Sequence, residues 1–224
     1  SSSSSNGGFF QRLLGKKNTY TGSGSGNVHT TQKGNMRIFG GSTIDQNGCG
    51  PASAASVLRS YGKNVSVNDA ASYAEAGGYV AGASGVTTSS RGGTKASYFE
   101  DILARNGIQT SYTNNQSKIK SAVNSGSPTI LLGQDKGNSS KSNSPFGPNP
   151  HYVVTRGTDK KGNVLVDDPE LNKPALYKRD ILNKAKLGIA TAGDSGLDDD
   201  TSSSDTSTDS SSSGATGVSG LLTS

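Results

Sequence analysis

The chain of 224 residues has one cysteine, which lies between two glycines in the stretch GCGPASAASVL (48–58). A proline and an alanine-rich apolar run follow it, which predicts that Cys49 opens a helix. A helix N-terminus is electropositive and favours the thiolate, the form of cysteine that attacks a carbonyl. Gly48 and Gly50 would leave the backbone bare, so that a substrate carbonyl could approach the sulfur. Cys49 is therefore a candidate nucleophile, with a buried, inert thiol as the alternative.

A nucleophilic cysteine needs a base, and the chain has two histidines. His29 lies in a Gly/Ser-rich stretch, and we expect it to be an ordinary linker residue. His151 follows the sequence SPFGPNP and opens a predicted strand, where a scaffold next to a rigid loop can hold a catalytic group. We predict that His151 is the base that activates Cys49, and the alternative is a structural histidine.

The third candidate is an acid that would hold the imidazole in its useful tautomer. The predicted hairpin turns at DKKGN, so the end of its second strand lies beside His151 at the start of the first. Successive residues of a strand face opposite sides, so only one of Asp167 and Asp168 can reach the ring. Asp168 precedes a proline that ends the strand, and an Asp-Pro strand terminator is the alternative interpretation.

A thiol hydrolase also needs donors for the oxyanion that forms when the carbonyl is attacked. The backbone N–H of Cys49 is one candidate. The side-chain amides of Gln46 and Asn47, which come just before the cysteine, are the others. Together these residues form the nucleophile, base, orienter and oxyanion donor of a thiol hydrolase.

The elements that must position these residues are mostly helices first and strands afterwards. Apolar periodicity and glycine stops predict helices at 50–61, 67–78, 95–107 and 116–126, the second capped by Asn68 or Asp69. Apolar or alternating runs predict strands at 108–113, 128–134, 151–159, 164–169 and 187–192. Polar loops are expected at 79–94 and 135–150, and a helical turn at 178–186. This order predicts an α+β fold, with an antiparallel sheet after N-terminal helices.

Composition divides the chain into a foldable part and two flanks. Residues 1–35 and 194–224 are rich in serine and glycine, and the second flank has six aspartates and no lysine or arginine. Such segments bury too little apolar surface to fold, so both are predicted to be linkers around one domain at 36–193. Because the chain begins in serine and ends in a linker, we expect it to be part of a larger multidomain protein.

Net charge and motif content indicate which classes of partner the chain could bind. The whole chain carries a net charge of +5, and residues 1–193 carry +11, because six of the 17 acidic residues lie in the tail. A basic body favours anionic partners such as teichoic acids or phospholipid surfaces. Nucleic acid is not expected, because the basic residues are scattered without a recognition motif. A single cysteine excludes an intramolecular disulfide and a multi-cysteine zinc site. No run approaches the ~18 apolar residues of a membrane span.

Two motifs in this order, GCGPASAASVLRSYG and PHYVVTRGTDKKGNVLVDDP, resemble the papain-like bacteriocin leader peptidases, and more closely their stand-alone relatives. The resemblance covers about residues 38–190. It implies a papain-like cysteine peptidase fold with Cys49, His151 and Asp168 as catalytic residues, and no metal or organic cofactor. Papain-like enzymes usually carry the oxyanion glutamine about six residues before the cysteine. That position is Thr43 here, and Gln46, three residues before the cysteine, is the glutamine to which we assign the role.

The resemblance also suggests a substrate. Leader peptidases of this family cut after paired glycines, whereas the stand-alone relatives occur in secreted, cell-wall or phage-tail proteins of Gram-positive bacteria. We therefore expect a cysteine peptidase that cuts the peptides of peptidoglycan, outside the cell or at a phage tail. The alternatives are a protease acting on a protein or double-glycine leader, and a catalytically idle papain-like module that binds the wall or a partner. The intact order of cysteine, histidine and aspartate argues against the idle module.

Overall fold

The computed structural model describes residues 28–81 and 93–193. Its helices are α1 (Ile44–Asn47), α2 (Cys49–Ser60), α3 (Val67–Ala76), α4 (Ser97–Ala104) and α5 (Gln116–Asn124), with a 3-10 helix at Arg179–Lys184. Its strands are β1 (Ile38–Phe39), β2 (Ser42–Thr43), β3 (Ile108–Thr113), β4 (Thr129–Gly133), β5 (His151–Thr158), β6 (Val164–Asp167), β7 (Ala175–Tyr177) and β8 (Ala185–Gly193). The predicted acidic linker and most of the first linker lie outside the described residues.

Six of these strands form one antiparallel sheet in the order β3-β8-β4-β5-β6-β7, and β1 and β2 form a separate two-stranded ribbon. The helices α1 to α4 precede this sheet in the chain, and α5 and the 3-10 helix lie between its strands. The predicted α+β class, with antiparallel strands after N-terminal helices, is confirmed. The short strand β7 was not predicted, because three residues are too few to show a strand periodicity.

Both faces of the sheet are covered by apolar side chains, and neighbouring residues of the central strands contribute to opposite faces. Ile130 of β4 packs on the face under α2, α3 and α4, whereas the next residue, Leu131, packs on the face under α5 and the 3-10 helix. Tyr152 and Val153 of β5 divide in the same way. The continuous apolar run predicted for a strand buried on both faces therefore has that environment.

Helix α3 begins at a capping box. The Ser66 hydroxyl accepts the backbone N–H of Asp69 at 3.0 Å, and the Asp69 carboxylate accepts the backbone N–H of Ser66 at 3.3 Å. The predicted caps, Asn68 and Asp69, are therefore wrong by two or three residues: Asn68 is inside the helix, and Asp69 is the reciprocal partner of the true cap.

The first linker was predicted to extend to residue 35, but residues 28–35 pack against the domain. His29, Thr30 and Gln32 are buried, and the Gln32 backbone N–H donates to the Pro169 carbonyl at 2.8 Å. The Gly/Ser-rich composition around this segment hid its contacts, which are with residues far away in the sequence. Within the described ranges, no helix combines the length and apolar character needed to cross a bilayer.

Candidate active site

Cys49 is the first residue of α2 and is half-buried. The turn before it is tight: a Cβ on Gly48 would lie 2.5 Å from the Ile44 carbonyl oxygen, and one on Gly50 would lie 2.3 Å from Thr94 Oγ1. These contacts correct the predicted reason for the glycines. They let the backbone pack closely against α1 and Thr94, and this packing fixes where the helix begins and where the thiol lies.

His151 is the first residue of β5, where it pairs with Gly133 of the central strand β4. Its side chain is only 4 % exposed, and Nε2 lies 2.7 Å from Asp168 Oδ1. Because Nε2 is engaged with the carboxylate, Nδ1 is the ring nitrogen left for Cys49, which lines the same cleft as His151. The ring is thus fixed by an acid and shares a cleft with a thiol.

The charge state of His151 follows from these neighbours. Burial of the ring lowers its pKa, but the hydrogen bond with Asp168, the interaction with Cys49 and the charges of both groups raise it more, to about 10. The arrangement therefore favours an imidazolium at neutral pH, the form that stabilises a neighbouring thiolate.

Asp168 follows the last residue of β6 and is buried. Asp167 pairs with Val154, so the hairpin register brings Asp168 beside the start of β5, as the turn length predicted. Asp168 Oδ1 also accepts the backbone N–H of Glu170 at 2.9 Å. The carboxylate that faces His151 is therefore held by the turn after the strand as well as by the sheet.

Cys49 and His151 line one cleft of about 420 Å³, and "the cleft" refers to it throughout. Lys141 and Glu170 also line it and form an ion pair in which each side chain is about one-third exposed. The predicted polar loop at 135–150 contributes Pro148 and Pro150 to the lining of the cleft. The cleft is thus open to solvent and offers a peptide both apolar and charged surface.

The two amides predicted as oxyanion donors lie in different settings. Gln46 lines the cleft and is exposed, and its Oε1 accepts the Ser42 hydroxyl. Asn47 also lines the cleft but is buried, and its Nδ2 donates to the carbonyls of Phe39 at 3.3 Å and Gly40 at 3.2 Å. The roles of Gln46 and Asn47 stay predictions, and the Asn47 amide is already bonded to the β1–β2 ribbon.

A third amide, Gln32, also lines the cleft and was missed in the sequence. The residue is 1 % exposed, and its Nε2 donates to the Asp45 carbonyl at 2.7 Å. One amide hydrogen is used in this bond, and Oε1 is buried without a hydrogen-bond partner among the described residues. Gln32 lies 17 residues before the cysteine, with the β1–β2 ribbon between them, so spacing along the chain does not reveal it.

His29, predicted to be a linker residue, is buried and hydrogen-bonded to Asp167 through Nδ1 and to the Leu171 carbonyl through Nε2, the latter at 2.8 Å. The hydrogen bond to Asp167 raises the His29 pKa. The prediction for His29 is therefore wrong. The two consecutive aspartates each hold one of the two histidines, and only His151 lies in the cleft.

One group of side chains near the cleft has the atom types that bind metal ions. Among the described residues, ligand atoms of His151, Asp168 and Glu170 lie within 4.8 Å of one another. These atoms already have partners, because His151 bonds to Asp168 and Glu170 pairs with Lys141. A metal would have to displace both interactions, and the chemistry described below needs none.

An α+β fold that brings a thiol and a His–Asp pair into one cleft is characteristic of the cysteine peptidases. The model of the Peptidase_C39 like family matches residues 28–187, and the chain belongs to this family. It is a cysteine peptidase, and the resemblance read from its motifs is confirmed. The match begins at residue 28, which agrees with the packing of residues 28–35 against the domain.

Two solved structures are similar to parts of the chain. One is the peptidase domain of Streptococcus ComA, a bi-functional ABC transporter involved in quorum sensing, with 20 % identity, a TM-score of 0.49, and coverage of 67 % of this chain and 95 % of that one. The other is a double-glycine-motif protease from an AMS/PCAT transporter in complex with its leader peptide, with 21 % identity, a TM-score of 0.43, and coverage of 65 % and 84 %. Curated proteins gave no significant match.

Proposed function

We propose that Cys49 is the nucleophile of this cysteine peptidase, His151 its general base and acid, and Asp168 the residue that orients the imidazole. The observation that carries this proposal is the environment of His151. Its ring is buried in the wall of the cleft and hydrogen-bonded to Asp168, and the Cys49 thiol lines the same cleft.

The mechanism follows from these positions. The Cys49 thiol gives its proton to His151 Nδ1, and the thiolate attacks the peptide carbonyl carbon. As the tetrahedral intermediate collapses, His151 returns the proton to the departing amine and the C–N bond breaks, which leaves a thioester on the sulfur. Water, deprotonated by His151, then attacks the thioester and releases the carboxylic acid product, and the proton returns to the thiol.

The negative charge on the carbonyl oxygen needs donors, and the backbone N–H of Cys49 is the first. For the second we propose Gln32 beside the predicted Gln46. Gln32 is held by its bond to Asp45 and keeps a second amide hydrogen, whereas Gln46 is exposed and bonded to a hydroxyl. A fixed donor loses less entropy than a mobile one when the oxyanion forms, which favours Gln32.

Matched substitutions separate the two glutamines, because methionine keeps the length of the side chain and removes the amide. Gln32→Met is expected to lower kcat about 100-fold, as loss of an oxyanion donor does, and Gln46→Met less than about 5-fold. Steady-state kinetics on one substrate measure both variants. The larger loss in Gln46→Met would assign the role to the residue that sequence spacing first suggested.

We propose that the substrate is the peptide part of peptidoglycan, and that the peptidase works outside the cell, in the cell wall or on a phage tail, as a module of a larger chain. Three features support this proposal. Residues 1–193 carry a net charge of +11, which favours an anionic wall. The cleft is open and has charged groups on its wall. The motifs resemble those of stand-alone relatives rather than those fused to transporters.

The substrate is tested with purified peptidoglycan, casein and a double-glycine leader peptide, each incubated with the wild-type protein and Cys49→Ala. We expect new amino groups and soluble muropeptides from peptidoglycan with the wild type only. Cleavage of casein or the leader peptide alone would replace the peptidoglycan proposal with a protein or leader substrate. No cleavage of any of the three, together with binding to peptidoglycan, would support the idle module.

A further inference from the structure

Segment 29–32, from His29 to Gln32, is bonded at every residue to parts of the domain that are distant in sequence. Both ring nitrogens of His29 are engaged, by Asp167 and by the Leu171 carbonyl. The Thr30 hydroxyl donates to the Ala52 carbonyl in the first turn of α2 at 2.6 Å. The segment therefore joins the start of the helix that carries Cys49 to the turn after β6.

Thr31 and Gln32 are also hydrogen-bonded to the domain. The Thr31 hydroxyl and the Gln32 backbone N–H both donate to the Pro169 carbonyl, at 2.9 Å and 2.8 Å. The Gln32 side chain then enters the cleft. Only Thr30 and Thr31 separate His29 from Gln32, and the hydroxyl of each is bonded to the domain, so a displacement of the histidine is transmitted along a short, restrained segment to the amide.

Asp167, which anchors the segment, is itself fixed by a buried network. Its Oδ2 accepts the Ser56 hydroxyl of α2 at 2.5 Å and Arg156 Nη2 of β5 at 2.6 Å. Arg156 Nη1 in turn donates to Ser60 Oγ at 2.5 Å. Removing Asp167 or Arg156 would leave the other charge buried and uncompensated, so these two residues hold each other in place.

We propose that His29 and Asp167 are a positioning pair, which holds segment 29–32 so that the Gln32 amide lies in the cleft at the reacting carbonyl. His29 is not among the residues that line the cleft, so it acts through Gln32 and not on the substrate. The inference rests on the proposed function, since it gives Gln32 its role as an oxyanion donor.

A double-mutant cycle in the full chain tests this role, on whichever substrate the wild type cuts. His29→Ala is expected to lower kcat about 10-fold or more with little change in KM, because a misplaced donor costs rate and not ground-state binding. In the double variant His29→Ala/Gln32→Met, the loss should equal that of Gln32→Met alone to within about 3-fold, since two residues acting through one interaction are not additive.

Additive losses in the cycle would overturn the inference, because a general structural role of His29 does not depend on Gln32. Ser60→Ala is the matched control: it removes a partner of Arg156 on the far side of the network and should change kcat less than about 2-fold. Circular dichroism and thermal unfolding establish that each variant folds. If His29→Ala does not fold, Thr31→Val replaces it in the cycle, because it removes the hydroxyl that donates to the Pro169 carbonyl and accepts the Lys33 backbone N–H, and it leaves His29 in place.

A second measurement separates failure of this inference from failure of the proposed function. The side-chain amide resonances of Gln32 in ¹⁵N-labelled protein are expected to lie away from the solvent-exposed amide region in the wild type and to move into it in His29→Ala or Thr31→Val. Unchanged resonances would overturn the inference. If the wild type cuts no substrate but the resonances move, the positioning of Gln32 holds and the proposed function fails.

Discussion

Two histidines of this protein are each paired with one of two consecutive aspartates, and the two pairs differ in what the second ring nitrogen meets. In the His151–Asp168 pair, the proposed role of that nitrogen is to serve the half-buried thiol of Cys49, which lines the same solvent-open cleft. In His29–Asp167 it bonds to the Leu171 carbonyl, inside a network closed by Arg156. The same chemical pair is therefore proposed to transfer protons at one place, and it is fixed in a buried network at the other.

The difference comes from the geometry of a strand end. Asp167 is the last residue of β6 and faces Ser56 of α2, whereas Asp168 faces the opposite side and reaches His151. Because side chains alternate along a strand, one strand end supplies acids to both faces of the sheet. A His–Asp pair alone does not identify a catalytic site, and the proposal for His151 rests on the thiol and the open cleft beside it.

The largest effect that distinguishes the pairs is on the rate. Cys49→Ala and His151→Ala are each expected to lower kcat by about 10⁴-fold or more, because each removes a group that the reaction cannot replace. His29→Ala should lose only about 10-fold, because it acts through position. Steady-state kinetics on the cleaved substrate measure all three. An equal loss of kcat in His29→Ala and His151→Ala would mean that the two pairs do not differ in function.

For the free energy of unfolding, the order should be reversed, and the His29–Asp167 pair should matter more than the His151–Asp168 pair. Asp167→Asn leaves the Arg156 guanidinium buried without its carboxylate, and we expect the free energy of unfolding to fall by about 3 kcal/mol. Asp168→Asn keeps hydrogen-bonding atoms in the same place and leaves no arginine unpaired, so about 1 kcal/mol is expected. Urea-induced unfolding of the matched variants measures both values. A larger loss in Asp168→Asn would mean that the cleft pair also holds the fold together.

The smallest expected effect is a shift in the pH dependence of kcat/KM in Asp168→Asn. The His151 pKa is raised above its ordinary value, to about 10, so the imidazolium and its contribution to stability are present below the ordinary value and lost as the pH rises through about 10. We expect kcat/KM of the wild type to fall near that pH. Asp168→Asn removes a charge that raises the pKa, so its alkaline limb should lie at lower pH. The pH profiles of both proteins test this, and identical limbs would contradict the proposed role of Asp168.

The parts of the site that are local in sequence could be predicted. Cys49 at a helix start, His151 at a strand start and Asp168 one hairpin away follow from the proline after the cysteine, the apolar run after the histidine and the length of the turn. The class of the fold followed from the order of the helical and strand patterns. Each of these inferences depends on residues that are near neighbours along the chain.

The parts that depend on contacts between distant residues could not be predicted. His29 looks like a linker residue until Asp167 and Leu171 are known to surround it, since those residues come about 140 positions later. Gln32 reaches the cleft only because the ribbon of β1 and β2 loops out between it and Cys49. The need for Gly48 and Gly50 comes from the packing of α1 and Thr94 against them, which composition does not encode.

The central claim, that His151 activates Cys49, has a direct test because Cys49 is the only thiol in the chain. Alkylation by iodoacetamide, followed by intact mass, therefore reports on this residue alone. At about pH 6, where an ordinary thiol is almost fully protonated, the wild type is expected to react at least about 10-fold faster than His151→Ala, because the imidazolium favours the thiolate. Equal rates in the two proteins would show that His151 does not activate Cys49 and would contradict the account.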